Sequence, residues 1–360
     1  MTLQIRRIEL VDFRNYERLE LVPDEALTVL VGPNAVGKTN VIEAVQLLTA
    51  AVSFRRPKWA ECIRWGAESA KAALWAEGDG RLVEVALLIS GSGRRSYQVN
   101  GKSVRAIGDV AGTVPSVSFT PEDLRIVKDS AEKRRDALDE VGDQLSANYA
   151  NTRAEYERIV RQRNAVLRAA VCEEEELGAW TARLIRIGSG LTEQRTRLFQ
   201  RLRPGVSEAY AKLSGGEKLE TEYTSRWCEE CQASVVAEAM EVAIRRVAAE
   251  ERARGTTLVG PHRDDVVFRI EGRDARTFGS QGQQRTIALA WKLGEVALIK
   301  QACGQPPVLL LDDVMSELDE GRRHALAVFV GESTQTIITT TNLGYFEPEL
   351  IERAKVVSLS

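Results

Sequence analysis

The stretch Gly32-Pro33-Asn34-Ala35-Val36-Gly37-Lys38-Thr39 matches G-x-x-x-x-G-K-[ST]. Residues of these types at this spacing suit a polyphosphate. The glycines let successive backbone N–H groups converge on an anion. The lysine brings positive charge to β- and γ-phosphates, and the threonine hydroxyl is a hard oxygen ligand for Mg2+. Such a loop needs a second, carboxylate ligand at the end of a neighbouring strand, and the run Pro307-Val308-Leu309-Leu310-Leu311-Asp312-Asp313 offers one. Asp312 is expected on the metal, with Thr39, and Asp313 beside the water that attacks the γ-phosphate. ATP and Mg2+ are therefore the expected ligands, with Lys38 and Asp313 as the catalytic pair. A turn before a helix, or a solvated strand end, would account for either motif alone but not for the two together.

These residues need elements to hold them. The apolar run at 27–31 reads as a strand leading into the loop, and a helix opens at Lys38. Residues 1–120 are otherwise strand-rich. Asn100-Gly101 between extended segments predicts a hairpin, because a type I′ turn needs positive φ at both central positions. Thr120-Pro121-Glu122-Asp123 predicts a helix start, with Thr120 as cap and Pro121 in the first turn. From about 131 to 203, Leu138, Val141, Leu145, Tyr149, Tyr156, Ile159 and Leu167 recur at helical spacing. Glu173–Glu176 predict a break, Leu177, Trp180, Leu184 and Ile187 a second long helix, and Pro204-Gly205 its end. After about 255, strands return: a hairpin at 266–276, then 307–313 and 335–341, the former read as a strand buried on both faces of a parallel sheet. The expected fold class is α/β: a P-loop ATPase head built from residues 1–120 and 250–360, with a mostly helical lobe at 121–249 inserted between them.

Two stretches compete to be the signature loop that ABC-type ATPases place at the head of a helix running toward the second carboxylate. Leu213-Ser214-Gly215-Gly216-Glu217 has the letters, but it lies far upstream of Asp312 and the residues after it alternate as a strand. Phe278-Gly279-Ser280-Gln281-Gly282-Gln283 precedes a clear helical run. Ser280 can cap that helix and leave its positive end facing an anion. Ser280, Gln281, Gly282 and Gln283 are thus assigned to a signature loop acting in trans on the γ-phosphate of a second copy, and 213–217 to a turn between helix and strand. Ser316-Glu317-Leu318-Asp319 resembles the D-loop of the ABC class, which contacts the opposite subunit, with Ser316 and Asp319 as its expected members.

Composition narrows the partners. The chain has 49 Lys+Arg against 52 Asp+Glu, a net charge of -3, so nucleic-acid contact requires a local patch. Five Cys fit a reducing compartment. The lone Cys228-x-x-Cys231, with two His in the chain, reads as ordinary thiols rather than a zinc site. The N-terminus is not a signal peptide, and no apolar run approaches membrane-spanning length, so a cytoplasmic protein is expected.

Taken in order, "FRNY" (13–16), "GPNAVGKTN" (32–40), "SFR" (53–55), "FTPEDLRIVKDSAEKRRDALD" (119–139), "YERIVRQRNAVLR" (156–168), "GPHRDD" (260–265), "FGSQGQQR" (278–285), "LLLDDVMSELD" (309–319) and "QTIITTT" (335–341) span essentially the whole length. In this the chain resembles the RecF family of bacterial recombination-repair ATPases, SMC-like members of the ABC class. The resemblance implies an ATP-dependent homodimer, DNA binding at gaps or strand junctions, slow ATP hydrolysis, and work with RecO and RecR in loading RecA, with roles in replication-fork maintenance and SOS induction. It also implies that Arg14 and Asn15 lie near the nucleotide. The sequence departs from the wider ABC pattern twice. Asp313 stands where most members carry Glu, and Thr340 stands near the place of the switch His. Both suit a slow ATPase used as a timer.

Arg134, Arg135, Arg158, Arg161 and Arg163 are candidates for sequence-independent contact with DNA phosphates, against the rival reading of a solvated helix face. His262 lacks an evident oriented partner and is read as shaping its loop. Two other functions fit the same motifs: an ATPase subunit driving a separate nuclease, and a DNA clamp gated by ATP binding without a need for turnover.

Overall fold

The computed structural model describes residues 3–78, 80–104, 106–169, 173–228, 235–331 and 335–360. Among these, an antiparallel sheet of order β2-β1-β4-β5-β6-β7 is built from β1 (Gln4–Phe13), β2 (Tyr16–Leu21), β4 (Ser69–Gly78), β5 (Arg81–Ser90), β6 (Arg95–Val99) and β7 (Lys102–Val104). Asn100 and Gly101 turn the last hairpin with φ of 50° and 73°, as the dipeptide predicts. A parallel sheet of order β14-β3-β13-β12-β8 takes β3 (Leu27–Val31) and β8 (Ser116–Phe119) from one end of the sequence. It takes β12 (Val308–Asp312), β13 (Thr336–Thr340) and β14 (Lys355–Ser358) from the other. A third sheet, β11-β10-β9, joins β9 (Leu219–Thr224), β10 (Asp265–Ile270) and β11 (Arg273–Asp274).

Alternation along the parallel strands divides the interior. Leu30, Leu310 and Ile337 face the helix α1 (Lys38–Thr49), which is itself covered by Ile5, Ile8, Leu10, Leu74 and Leu87 of the antiparallel sheet. Ten of the twelve residues of α1 are buried, as expected for a helix held between two sheets. Val29, Leu309, Leu311 and Ile338 face the other way, onto α7 (Gln281–Cys303). Trp291 of α7, fully buried, meets Phe268 edge-on at 5.7 Å, so α7 also carries the third sheet.

The helical lobe consists of α2 (Ala131–Leu145), α3 (Ala147–Arg168), α4 (Glu174–Ser214) and α5 (Val236–Arg254), and its core is continuous with that of α7. Helix α5 runs through residue 250, where the sequence reading ends the lobe. Short helices α6 (Ala275–Phe278), α8 (Glu320–Gly331) and α9 (Pro348–Glu352) complete the head.

Two expectations need correction. Helix α4 does not end at Pro204-Gly205 but continues to Ser214, an unbroken 41 residues and roughly 60 Å. The glycines explain why. A Cβ on Gly205 would sit 3.5 Å from the Gly294 Cα, and one on Gly294 would sit 2.6 Å from Val206, so α4 and α7 cross at close range. That packing outweighs the cost of a proline inside a helix, about 3 kcal/mol. Nor does a helix start at Thr120. The Asp123 carboxylate accepts the Thr120 N–H (2.7 Å) and hydroxyl (2.9 Å), reversing the expected cap. Only a 3-10 turn at Asp123–Arg125 follows, and α2 begins at Ala131.

Charged residues also enter the lobe's interior. Arg163 is 2% exposed and its Nη2 lies 2.6 Å from Glu251, which is 1% exposed. Removing one member of such a pair strands the other charge. Arg163→Met is expected to destabilise the protein by about 3–5 kcal/mol, read as a lowered midpoint in urea unfolding.

Candidate functional site

The loop after β3 has the geometry that its glycines imply. Ala35 and Gly37 have φ of 66° and 111°. A Cβ on Gly37 would fall 2.6 Å from the Asn15 amide and 2.8 Å from the Tyr16 hydroxyl, so no other residue fits there. Helix α1 then opens at Lys38 with its first N–H groups and dipole end at the loop. The Lys38 ammonium donates to the Gly32 and Pro33 carbonyls, at 2.7 and 2.8 Å. It is thereby held inside the loop. Pro33, Asn34 and Ala35 are exposed, and Val36 accepts from the Asn15 amide at 2.9 Å.

The Thr39 hydroxyl donates to the Asp312 carboxylate at 2.9 Å. The two strands that carry these motifs are not adjacent, contrary to the sequence reading. Strand β13 lies between them, and its Thr339 hydroxyl donates to the same Asp312 oxygen at 2.7 Å. Burial pushes the Asp312 carboxyl above the ordinary carboxylate range, and the two hydroxyls pull it partly back. A hydroxyl beside a carboxylate, at the mouth of an anion nest, is a donor set that suits a small hard cation.

Asp313 is a non-glycine residue in the left-handed region, φ 51°, with its N–H donating to Thr339. This bend turns its side chain away from the line of β12. Burial raises its carboxyl, Lys38 opposes the rise, and its Oδ1 is buried without a hydrogen-bond partner. A buried, unpartnered acceptor is costly to keep and commonly marks functional chemistry.

Arg14 does not reach the loop directly. Its guanidinium forks onto Glu43 of α1 at 2.9 and 2.7 Å and donates to the Glu61 carbonyl. Asn15 does reach it, bonding Val36 and Asn40. Arg55, which the sequence reading did not single out, bonds Asn40 and Glu43 at the first turns of α1. Only the fold brings "SFR" against α1, so its spacing gives no signal.

Ser280 caps α7. Its hydroxyl accepts the Gln283 N–H at 3.1 Å, and the Gln283 side-chain oxygen accepts the Ser280 N–H at 3.0 Å. Gln281 is exposed beside it. The Gly282 carbonyl accepts from Arg322 at 2.7 Å. Arg322 also bonds Asp319, which caps α8, and the Ser316 hydroxyl donates to the Asp313 carbonyl. Among the described residues the Ser280 cluster and the phosphate loop share no hydrogen bond. In the stretch 213–217, Leu213 and Ser214 end α4, and Gly215 and Gly216, at positive φ, open the expected turn toward β9.

The arginines divide. Arg158 and Arg161 are exposed on α3. Arg134 is 3% exposed and forked onto Asp265, so, like Arg163, it faces the interior and is no surface cation. Arg135 is half-buried and donates to the Asp264 carbonyl. His262 lies between the Tyr156 hydroxyl (2.7 Å) and the Thr257 carbonyl (3.0 Å), and burial lowers it to about 4. It stays neutral and braces its loop. Cys231 lies outside the described residues. Among the described residues, no helix is long and apolar enough to cross a membrane.

The three sheets, the α1 and α7 layers and the attached helical lobe make this an SMC/RecF-type ATPase head. The SMC head of Pyrococcus furiosus superposes with a TM-score of 0.56 at 16% identity over 99% of this chain and 93% of that one, a likeness of fold. The family model described as RecF/RecN/SMC N terminal domain matches residues 4–357. The DNA replication and repair protein RecF of Synechococcus sp. (strain JA-3-3Ab) is 40% identical over 99% of this chain and 96% of its own. A solved structure of the recombination mediator protein RecF with ATP, of the RecFOR pathway, gives a TM-score of 0.89 at 30% identity over 96% of this chain and 94% of that one. The chain belongs to the RecF family of DNA replication and repair proteins.

Proposed function

We propose that this protein is a recombination mediator that binds ATP in the 32–39 loop, pairs with a second copy on doing so, and holds DNA until slow hydrolysis releases it. The observation that carries the reading is the Thr39–Asp312 contact at the mouth of a glycine-shaped anion nest. Gly32 to Thr39 cradle the phosphates, with Asn15 fixing the loop and Arg14 fixing α1 through Glu43. Thr39 and Asp312 would hold Mg2+, which supplies charge neutralisation at the β- and γ-phosphates. Lys38 balances the negative charge that builds on the transferred group, and Asp313 orients the water and receives its proton.

Ser280, Gln281, Gly282 and Gln283, with Ser316 and Asp319, act across the pair. The supporting observation is that Ser280 is satisfied as an acceptor by its own helix, which leaves its O–H and the positive end of α7 for an outside anion. ATP favours the pair over ADP because only a γ-phosphate can bridge the two copies. The relatives' names support work in DNA repair and in the RecFOR pathway. RecO- and RecR-type partners, DNA at gaps or junctions, RecA loading and a cytoplasmic location complete the proposed reading. Arg158 and Arg161 remain the candidates for phosphate-backbone contact, which is non-specific and weakened by salt.

Sedimentation of the purified protein with Mg-ATP and with Mg-ADP tests this. A dimer with ATP alone is expected. A monomer with both would remove nucleotide-driven pairing from the reading.

A further inference from the structure

The turn at 213–217 has the signature letters without the signature's place, and the structure gives it a different task. Helix α4 stops at Ser214, and Gly215 and Gly216 follow at φ of 73° and 106°. This double left-handed step swings Glu217 back toward the start of α7. One carboxylate oxygen of Glu217 accepts the Gln283 side-chain amide at 3.0 Å, and the other accepts the Tyr210 hydroxyl at 2.9 Å. Tyr210 is fully buried on α4, so the carboxylate is fixed from the helical lobe.

Gln283 is the residue that closes the Ser280 cap. Its side chain has one accepting and one donating end. The Ser280 N–H can only donate, and the Glu217 carboxylate can only accept. The amide therefore has a single orientation: oxygen toward Ser280, nitrogen toward Glu217. We infer that Glu217 is a positioning residue for the Ser280 loop, orienting Gln283 and through it the hydroxyl and N–H groups that meet the partner copy's γ-phosphate. Arg322 holds the opposite side of the same turn, through the Gly282 carbonyl and the Thr286 hydroxyl. The first turn of α7 is thus clamped from both the helical lobe and the D-loop side. Without Glu217 the Gln283 amide can rotate, and the cap loses its fixed partner before the second copy arrives.

The inference rests on the ATP-driven pairing proposed above, and two measurements keep the failures apart. In the nucleotide-free full chain, hydrogen exchange of residues 279–285 is expected to quicken about fivefold or more in Glu217→Ala. With Mg-ATP, the protein concentration for half-dimerisation is expected to rise about tenfold, with ATP affinity measured on the monomer unchanged and the thermal midpoint modestly lowered, because the buried Tyr210 hydroxyl loses its acceptor. Glu217→Gln keeps a carbonyl for Gln283 and an N–H for the Tyr210 oxygen. It is expected to restore both readouts to within about threefold. Adding Glu217→Ala to Gln283→Ala should change neither the exchange nor the dimerisation readout further.

Unchanged exchange in Glu217→Ala overturns the inference whatever the dimer does. So does faster exchange with normal dimerisation, or a variant that only melts earlier. A wild type that stays monomeric in ATP overturns the pairing reading instead, and the exchange arm then decides the role of Glu217.

Discussion

Lys38→Met will lower ATP affinity by about a hundredfold or more, equivalent to about 3 kcal/mol. Lys38 is 6% exposed, and its ammonium sits inside the loop on two backbone carbonyls, with no carboxylate bonded to it among the described residues. Its charge is therefore available to a triphosphate, and few other cations are in reach. Arg14 is committed to Glu43, itself 0% exposed, and Arg55 is shared between Glu43 and Asn40. Methionine keeps the length and apolar stem, so the loss reports charge rather than packing. Isothermal calorimetry with Mg-ATP measures it, with circular dichroism melting as the folding control. An affinity within threefold of the wild type would place the nucleotide elsewhere.

Asp313→Asn will separate binding from turnover. Single-turnover hydrolysis is expected to fall by about 10²–10⁴-fold, while ATP binding and the ATP-bound pair persist. The substitution conserves shape. The N–H bond to Thr339 and the Ser316 bond to the Asp313 carbonyl are backbone contacts, and both survive. What goes is an acceptor with a buried, unpartnered oxygen. Burial also raises this carboxyl above its ordinary range, so in the nucleotide- and metal-free chain it takes up a proton at higher pH than an exposed aspartate does. A persistent ATP-bound dimer in the variant supports turnover as the reset step. A dimer that dissociates as fast as the wild type's would favour a clamp indifferent to hydrolysis.

The head was legible in the sequence where chemistry is local. A phosphate loop announces itself within eight residues, and a strand buried on both faces reads as Val308-Leu309-Leu310-Leu311. What the sequence concealed depends on who packs against whom. Thr339 joins Asp312 only because β13 enters between β3 and β12, an order no linear spacing reveals. Pro204 looks like a stop until Gly294 of α7 is brought against Gly205. Arg134 stands at helical spacing from Leu138 and Val141, and Arg163 from Tyr156 and Ile159, so both lie on the apolar faces of their helices and point inward to Asp265 and Glu251, whereas Arg158 and Arg161 face solvent. Periodicity marks that face but does not name the buried acid that each arginine finds. Glu217 was hidden for a different reason. The sequence reading sets 213–217 aside as a turn, and only the fold brings the Glu217 carboxylate to the Gln283 amide.

The composition of the parallel sheet has a consequence for how the protein is made. Strand β3 pairs with β13 and β14, and the Ile5 N–H is satisfied by the Gln335 side chain, 330 residues further on. A ribosome working from the N-terminus exposes Leu27-Thr28-Val29-Leu30-Val31 long before those partners exist. Helices α2, α3 and α4 are contiguous in the chain and pack on one another, so they can condense while synthesis continues. The head is then a late event, sealed when β12 to β14 emerge. During translation the nascent chain carries an open, apolar strand edge, and a stalled or truncated product would present that edge to its neighbours.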